Sequence, residues 1–413
     1  MALASGDFAD CPSRPPALIA ARDLPAPRFR GRRSHSDLLQ LPRGPTVEDF
    51  DIIIVGAGPA GSCLARLAAG LPGLRIALLD ARALDSAYTG TGRIKSCGGL
   101  MAPDAQKALA RMDMALPSRL LVTPQLFAVR TLDLPSGLER NYQRFYLNLD
   151  REAFDRWLFA SVGDSVRKFS SVMVKKLHRE RDGYGVLCED GTHLYCRFIV
   201  GADGANSVVR RKLFSQLRPT CYMSIQERFA LESRKPHFAA FFDPEITDYY
   251  AWGLPKGQEY LLGAAIPATA GAGKTFLRFK EKIRPFGYDL REPLSRESTL
   301  ILRPDGPPAS GVLPDGRACL LGEAGGYISP SSAEGFSYAF RTAMLLYRSL
   351  RLAGEDRSSD AYFKNVCRWQ DHLLRPLRLE LWGKCLKRQI LYRPFLRRLV
   401  MRSGLRHLRC LES

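Results

Sequence analysis

Apolar residues fall at two periods, and the switches between them lay out the chain. From Phe50 the run Asp51-Ile-Ile-Ile-Val55 is β-branched without alternation, the pattern of a strand buried on both faces. Residues 59–70 change to helical spacing: Cys63, Leu64, Leu67 and Ala68 share one face, and Pro59 suits the first helical position. Residues 75–80, RIALLD, form a second buried strand. Strand, helix, strand is the unit of a parallel sheet. Residues 124–150 turn to strands, QLFAVRTLDL and NYQRFYLNL around a Pro135-Ser136-Gly137 turn, before a helix over 151–161 with Asp150 as its N-cap. Hairpin turns at Asp182-Gly183 and Asp190-Gly191 lead into a buried strand at 197–201. Residues 219–302 are rich in aromatics and predict mostly strand. A buried strand at 318–322 precedes a helix over 333–352, and 358–413 has the pattern of basic helices, which Pro394 would kink or split. No internal repeat interrupts this order.

Composition narrows the class. With 413 residues, 46% hydrophobic and 25% charged, the chain is ordinary globular material for two or three domains. Its longest uncharged runs, 52–65 and 260–273, are broken by Gly and Pro, which argues against a membrane-spanning helix. Residues 1–48 hold seven prolines and the cluster Arg28, Arg30, Arg32, Arg33, and predict a disordered leader without the apolar core of a secretory signal. The ten cysteines show no Cys-x-x-Cys spacing and the six histidines do not cluster with them, so no metal site is expected and free thiols in a cytoplasmic, reducing compartment are.

The chemistry begins at Gly56-x-Gly58-x-x-Gly61, which follows a strand and opens a helix. Gly56 permits the tight turn, Gly58 lets a pyrophosphate reach the backbone, Gly61 lets helix and strand pack, and Ala60 sits in the first helical turn, whose N–H groups favour an anion. Asp80 ends the next strand, where a carboxylate can accept from both adenosine ribose hydroxyls. The fingerprint alone does not choose between NAD and FAD. Two later segments do. Residues 198–210, FIVGADGANSVVR with Asp203-Gly204, and Gly322-Glu323-Ala324-Gly325-Gly326 resemble the Asp-Gly and Gly-Asp-Ala-Ala-Gly motifs of FAD-binding proteins of the p-hydroxybenzoate hydroxylase type. That resemblance implies an α/β fold with FAD as cofactor. It places an FAD-binding Rossmann-like domain (49–123 with 196–216 and 303–355), interleaved with a β-rich substrate domain (124–195 and 217–302), ahead of C-terminal helices (356–413). It also implies cofactor roles for Arg151, Asp203, Gly322, Gly326 and position 323, where this chain has Glu in place of Asp. A helix starting near Ser331 would aim its positive end at the flavin ring.

Within that fold, Lys95-Ser96-Cys97-Gly98-Gly99 and Tyr250-Ala-Trp252-Gly-Leu254-Pro255 resemble the geranylgeranyl reductase family, with Leu254 for the family's Phe, and Pro330 and Gly335 match its extension of the glycine motif. CGGLMAPDAQKAL and LGEAGGYIS are closer still to the CbrA-like subgroup, which also carries Glu at this point. The family implies FAD-dependent reduction of isolated double bonds in polyprenyl lipids. Such an alkene needs a hydride and a proton, and Cys97 is the candidate acid, against its reading as a small buried hydrophobe. Gly98 and Gly99 would let the backbone approach the ligand; Tyr250 and Trp252, with Tyr249, would wall the substrate site. Phe238, Phe241, Phe242 and Tyr260 would either extend an apolar tunnel or pack the core.

The formal net charge is +19, concentrated at the end: residues 381–413 carry nine Lys and Arg against Glu412 alone. Trp382, Leu386 and Ile390 recur at helical spacing, so the tail either docks peripherally on an anionic membrane or packs with solvated arginines; no nucleic-acid partner is expected. The electron donor, NAD(P)H included, stays open. Two other functions fit the same residues: a flavin monooxygenase or halogenase, and a non-catalytic flavin and lipid binder.

Overall fold

The computed structural model describes residues 47–86, 96–180, 182–230, 236–269, 271–313 and 315–408. The β-branched run forms the strand Glu48–Val55, parallel to Ile76–Leu79 on one side and to His193–Gly201 on the other. Helix Pro59–Ala68 makes the crossover between the first two strands. Val166–Phe169 extends the parallel edge beside Ile76–Leu79, and Ala318–Leu320 lies parallel to the carboxyl end of His193–Gly201. The other half of His193–Gly201 pairs antiparallel with Gly183–Cys188, which pairs in turn with Val174–Glu180. This is a 7-stranded sheet. Alternate residues of its central strand feed separate cores, Ile52 and Ile54 on the helix side and Ile53 and Val55 on the other, so the apolar run needs no alternation.

A 9-stranded sheet follows. Across it lie Ser295–Leu302, Cys221–Ala230, Glu259–Pro267, Ala251–Lys256, Phe238–Phe242, Leu126–Asp133, Leu138–Asn148 and His407–Leu408, while Leu100–Met101 pairs with the far end of Leu138–Asn148. Helix Ala272–Ile283 covers one face, its Phe276, Phe279 and Ile283 meeting Phe241, Tyr260 and Tyr288. This helix interrupts a region expected to be mostly strand.

Two further expectations shift. The segment 124–195 divides between the sheets, because the strands from Val166 onward join the first one. The helix expected over 333–352 starts at Phe336, because Ser329 N–H donates to Glu334 O to close a turn, and Glu334 then accepts from Ser337 N–H at 2.7 Å. At the end of the chain, Asp360–Tyr392 is one helix, and Pro394 opens a second, Pro394–Arg402. Asp133, fully buried in the second sheet, accepts from Arg397 Nε at 2.9 Å and Arg398 Nε at 3.1 Å, tying that helix to the sheet. No helix among the described residues is long and apolar enough to cross a membrane.

Candidate functional site

A cavity of about 620 Å³ opens at the carboxyl ends of the parallel strands and reaches the second sheet. Val55, Leu79, Ala202 and Leu321 line it from the strand ends, Ser96–Gly99 from a loop, and Phe238, Tyr250 and Trp252 from the second sheet. Open parallel sheets bind ligands at this end, where connections part to either face.

The glycine turn is built as its spacing requires. Gly56 has φ +100°, and a Cβ on it would lie 2.6 Å from Ala202 O. A Cβ on Gly61 would lie 1.9 Å from Gly56 O, so helix and turn touch only through glycine. Gly58, by contrast, has nothing within 4 Å of its missing Cβ and faces the cavity with Ala60. No side chain caps the helix at Gly58, which leaves its first N–H groups for an anion. These features fit a dinucleotide. Gly322 and Gly326 lie behind the wall: Gly322 N–H donates to Thr342 Oγ1 at 3.0 Å, and both glycines have positive φ.

Asp80 lines the cavity but is fully engaged. Its Oδ2 accepts from Ala57 N–H at 2.7 Å and Arg82 Nη2 at 3.1 Å; its Oδ1 accepts from Arg82 N–H at 2.8 Å and Nε at 3.0 Å. A carboxylate offers about four acceptor positions, so a ribose hydroxyl would have to share one or displace Arg82. Arg82 continues to Asp155, its Nη1 2.6 Å from Oδ2, and Arg151 closes the chain, its Nε 3.0 Å from Oδ1. Arg151 therefore does reach the cavity, set there by the Asp150 cap on Ala153 N–H and by the Phe336 ring 4.7 Å away. Burial alone would raise the Asp155 pKa; Arg151 and Arg82 reverse this and hold the carboxyl below its ordinary range. Sequence reasoning missed Asp155 and Arg82, whose roles depend on elements that meet only in the fold. The other expected acid, Asp203, accepts from Val208 N–H at 2.6 Å through Oδ2, while Oδ1 is buried without a partner; burial raises its pKa.

Glu323 lines the cavity, and its Oε1 accepts from Leu302 N–H at 2.9 Å. The extra methylene lets this carboxylate reach the end of a second-sheet strand, giving the departure from Asp a structural reason.

The Cys97 loop lies against the second sheet. Gly99 (φ +64°) donates its N–H to Cys97 Sγ at 3.5 Å, and its O accepts from Leu149 N–H at 2.9 Å. Lys256 Nζ donates to Leu149 O at 2.6 Å and would lie 2.9 Å from a Cβ on Gly99. Burial pulls the Lys256 pKa down to about 7, with Cys97 opposing. Sequence reasoning missed this lysine, although it directly follows the Tyr250–Pro255 signature. Lys95, two residues before Cys97, lies outside the described residues. Gly98 approaches Leu254, its missing Cβ 3.5 Å from Cδ2.

Tyr250 and Trp252 both stand in the cavity wall, ring centres 5.6 Å apart, with Tyr250 OH donating to Ser332 O at 2.8 Å. Of the proposed tunnel, only Phe238 lines the cavity. Phe241 and Tyr260 point to the opposite face, under helix Ala272–Ile283, because strand alternation sends them there. Phe242 packs against Tyr392, and Tyr249 against Arg303, outside the lining.

Comparison with known proteins agrees with this architecture. The lycopene cyclase protein family matches residues 51–239. The geranylgeranyl bacteriochlorophyll reductase-like protein of Thermoplasma acidophilum superposes with TM-score 0.71 at 18% identity, over 86% of this chain and 91% of its own. PqsL of Pseudomonas aeruginosa, described as a probable FAD-dependent monooxygenase, superposes with TM-score 0.62 at 18% identity, over 87% of this chain and 100% of its own. The fold is thus that of p-hydroxybenzoate hydroxylase-type flavoproteins. Protein CbrA of Escherichia coli O9:H4 (strain HS) is 39% identical over 367 residues, 88% of this chain and 95% of that protein. At that identity, sustained over both chains, the protein belongs to the CbrA family.

Proposed function

We propose that this chain binds FAD in the cavity and reduces carbon–carbon double bonds of a polyprenyl lipid. The observation that carries the reading is one continuous cavity, from the turn at Gly56–Ala60, past Cys97, to the wall of Phe238, Tyr250 and Trp252. The glycine turn, Arg151 and Asp203 would hold the dinucleotide, with the Gly322–Gly326 turn and Glu323 at its reactive end. When bound and reduced, FAD supplies a hydride. The remaining tasks fall to the chain. Cys97 Sγ donates the proton that an isolated alkene also needs. Lys256, held near neutrality beneath the same loop, is a second proton-exchanging group there. Tyr250 and Trp252 orient the chain and exclude water. Peripheral contact with an anionic membrane fits this substrate: Leu379, Trp382, Leu386 and Ile390 form an exposed row on a basic helix.

The test is to reduce purified flavoprotein without oxygen, add prenyl lipids, and follow flavin reoxidation with product mass. A product heavier by two hydrogens is expected. Reoxidation only with oxygen, and a product heavier by one oxygen atom, would replace the reading with a monooxygenase; no turnover would leave a binder. Cys97→Ala should slow reduction about tenfold or more while flavin stays bound; an unchanged rate removes its role as acid.

A further inference from the structure

The cavity wall formed by the second sheet is not apolar throughout. Trp252, Leu254 and Phe238 make one part; Ser224, Gln226 and Thr299 face the same cavity from neighbouring strands. The registers set them side by side. Ser224 lies opposite Thr299, and Gln226 lies opposite Gly263, which is itself opposite Trp252. Gln226 and Trp252 therefore flank one glycine on one sheet face.

One polar group of the strip is unsatisfied. Gln226 is 4% exposed, and its Oε1 has no hydrogen-bond partner. Ser224, 3% exposed, lines the cavity beside it. A buried amide without a partner costs stability until something pairs with it. Because the amide O and N exchange places by a flip, Gln226 can meet either a donor or an acceptor. On the strands that carry Ser224, Gln226, Trp252 and Thr299 no cavity-lining residue among those described is charged; the sheet's charged lining residue, Arg144, stands on Leu138–Asn148, five strands away from Gln226.

We propose that Gln226 and Ser224 form a subsite for a neutral hydrogen-bonding group of the substrate, a hydroxyl or carbonyl carried by the lipid. The inference rests on the reading of the cavity as a prenyl-lipid site and names the head group that site takes. The hydrocarbon lies along Trp252 and Phe238, and the head group pairs with the amide. A phosphate placed on the same strip would shed its hydration with no opposite charge from these strands to replace it.

The test titrates the flavin-loaded protein with geranylgeraniol, a prenyl ketone, geranylgeranyl diphosphate and the prenyl hydrocarbon lacking any head group. Tryptophan quenching and thermal shift read binding without turnover. The alcohol or the ketone, whichever is the natural head group, should bind about tenfold tighter than the hydrocarbon and the diphosphate. Gln226→Leu should erase that preference and leave hydrocarbon affinity unchanged; Ser224→Ala should reduce it, and serves if the first variant does not fold. Tightest binding of the diphosphate overturns the proposal, as does an equal loss for all four ligands. So does an altered flavin spectrum in Gln226→Leu without ligand, which would assign the amide to the cofactor. The predicted binding pattern without alkene reduction refutes the reductase reading and leaves the subsite standing; reduction without head-group preference does the reverse.

Discussion

Asp155 offers the sharpest test of how the glycine-turn end of the cavity is held. It is 0% exposed and accepts from Arg82 Nη1 at 2.6 Å and from Arg151 Nε and Nη2 at 3.0 and 3.2 Å. Asp155→Asn preserves the shape and removes the charge. Arg82 keeps Asp80, but among the described residues Arg151 keeps only the Phe336 ring as a cation partner. One nearly buried guanidinium, its side chain 12% exposed, is left without a counter-charge. Removing one partner of a buried pair costs about 3–5 kcal/mol, and the residual exposure puts this case near the lower figure. Urea unfolding followed by circular dichroism measures the loss. The double variant Arg151→Met/Asp155→Leu removes both charges and should recover at least half of it. A single-variant loss under about 1 kcal/mol, or a double variant that merely adds its parts, would refute the reasoning. The pH dependence has a fixed sign. Because the folded carboxyl lies below its ordinary range, its contribution is complete above the unfolded pKa and disappears as pH falls through the folded one. Wild type and Asp155→Asn should therefore begin to converge as pH falls below about 4.

Other expectations follow from single contacts. Lys256, with a pKa of about 7, is deprotonated in the fold over a range where the unfolded chain still binds a proton, so its contribution to stability rises with pH above 7. Lys256→Met should abolish that rise in Tm between about pH 7 and about pH 9; parallel curves would contradict it. A Cβ on Gly263 would lie 2.4 Å from Trp252 Cε2, so Gly263→Ala should cost about 1–3 kcal/mol and shift tryptophan emission. Unaltered emission would argue against this placement of the indole. Trp382 and Leu386 are 50% and 54% exposed, so Trp382→Ser/Leu386→Ser should leave Tm nearly unchanged and reduce sedimentation with anionic vesicles several-fold. Equal sedimentation would remove the membrane contact.

What could be read in the sequence was local. The turn at Gly56–Gly61, the Asp150 cap and the split at Pro394 each follow from a few adjacent residues, and the structure has all three. Helix Ala272–Ile283 was legible too, since Phe276, Phe279 and Ile283 repeat at helical spacing, but the surrounding aromatics suggested strand. Tunnel and core could not be told apart for the aromatics because composition does not say which face of a strand a residue takes; Phe238 and Phe241 are three apart and point opposite ways. The Arg82–Asp155 pair and Lys256 gave no signal because each contact joins distant parts of the chain: Arg82 is 73 residues from Asp155, and Leu149 is 107 from Lys256.

The outer strand Leu138–Asn148 ends its sheet, and an unguarded border of this kind invites strand addition from another molecule. Here it is closed by borrowed fragments. Leu100–Met101 covers Leu147 and Asn148, His407–Leu408 covers Asn141 and Tyr142, and Gln106 Nε2 donates to Phe145 O at 3.1 Å between them. The loop that carries Cys97 runs directly into the first of these fragments, and the basic helices run into the second. Loosening either would bare a sticky ribbon as well as disturb the site, so self-association would accompany lost activity in any variant that frees them.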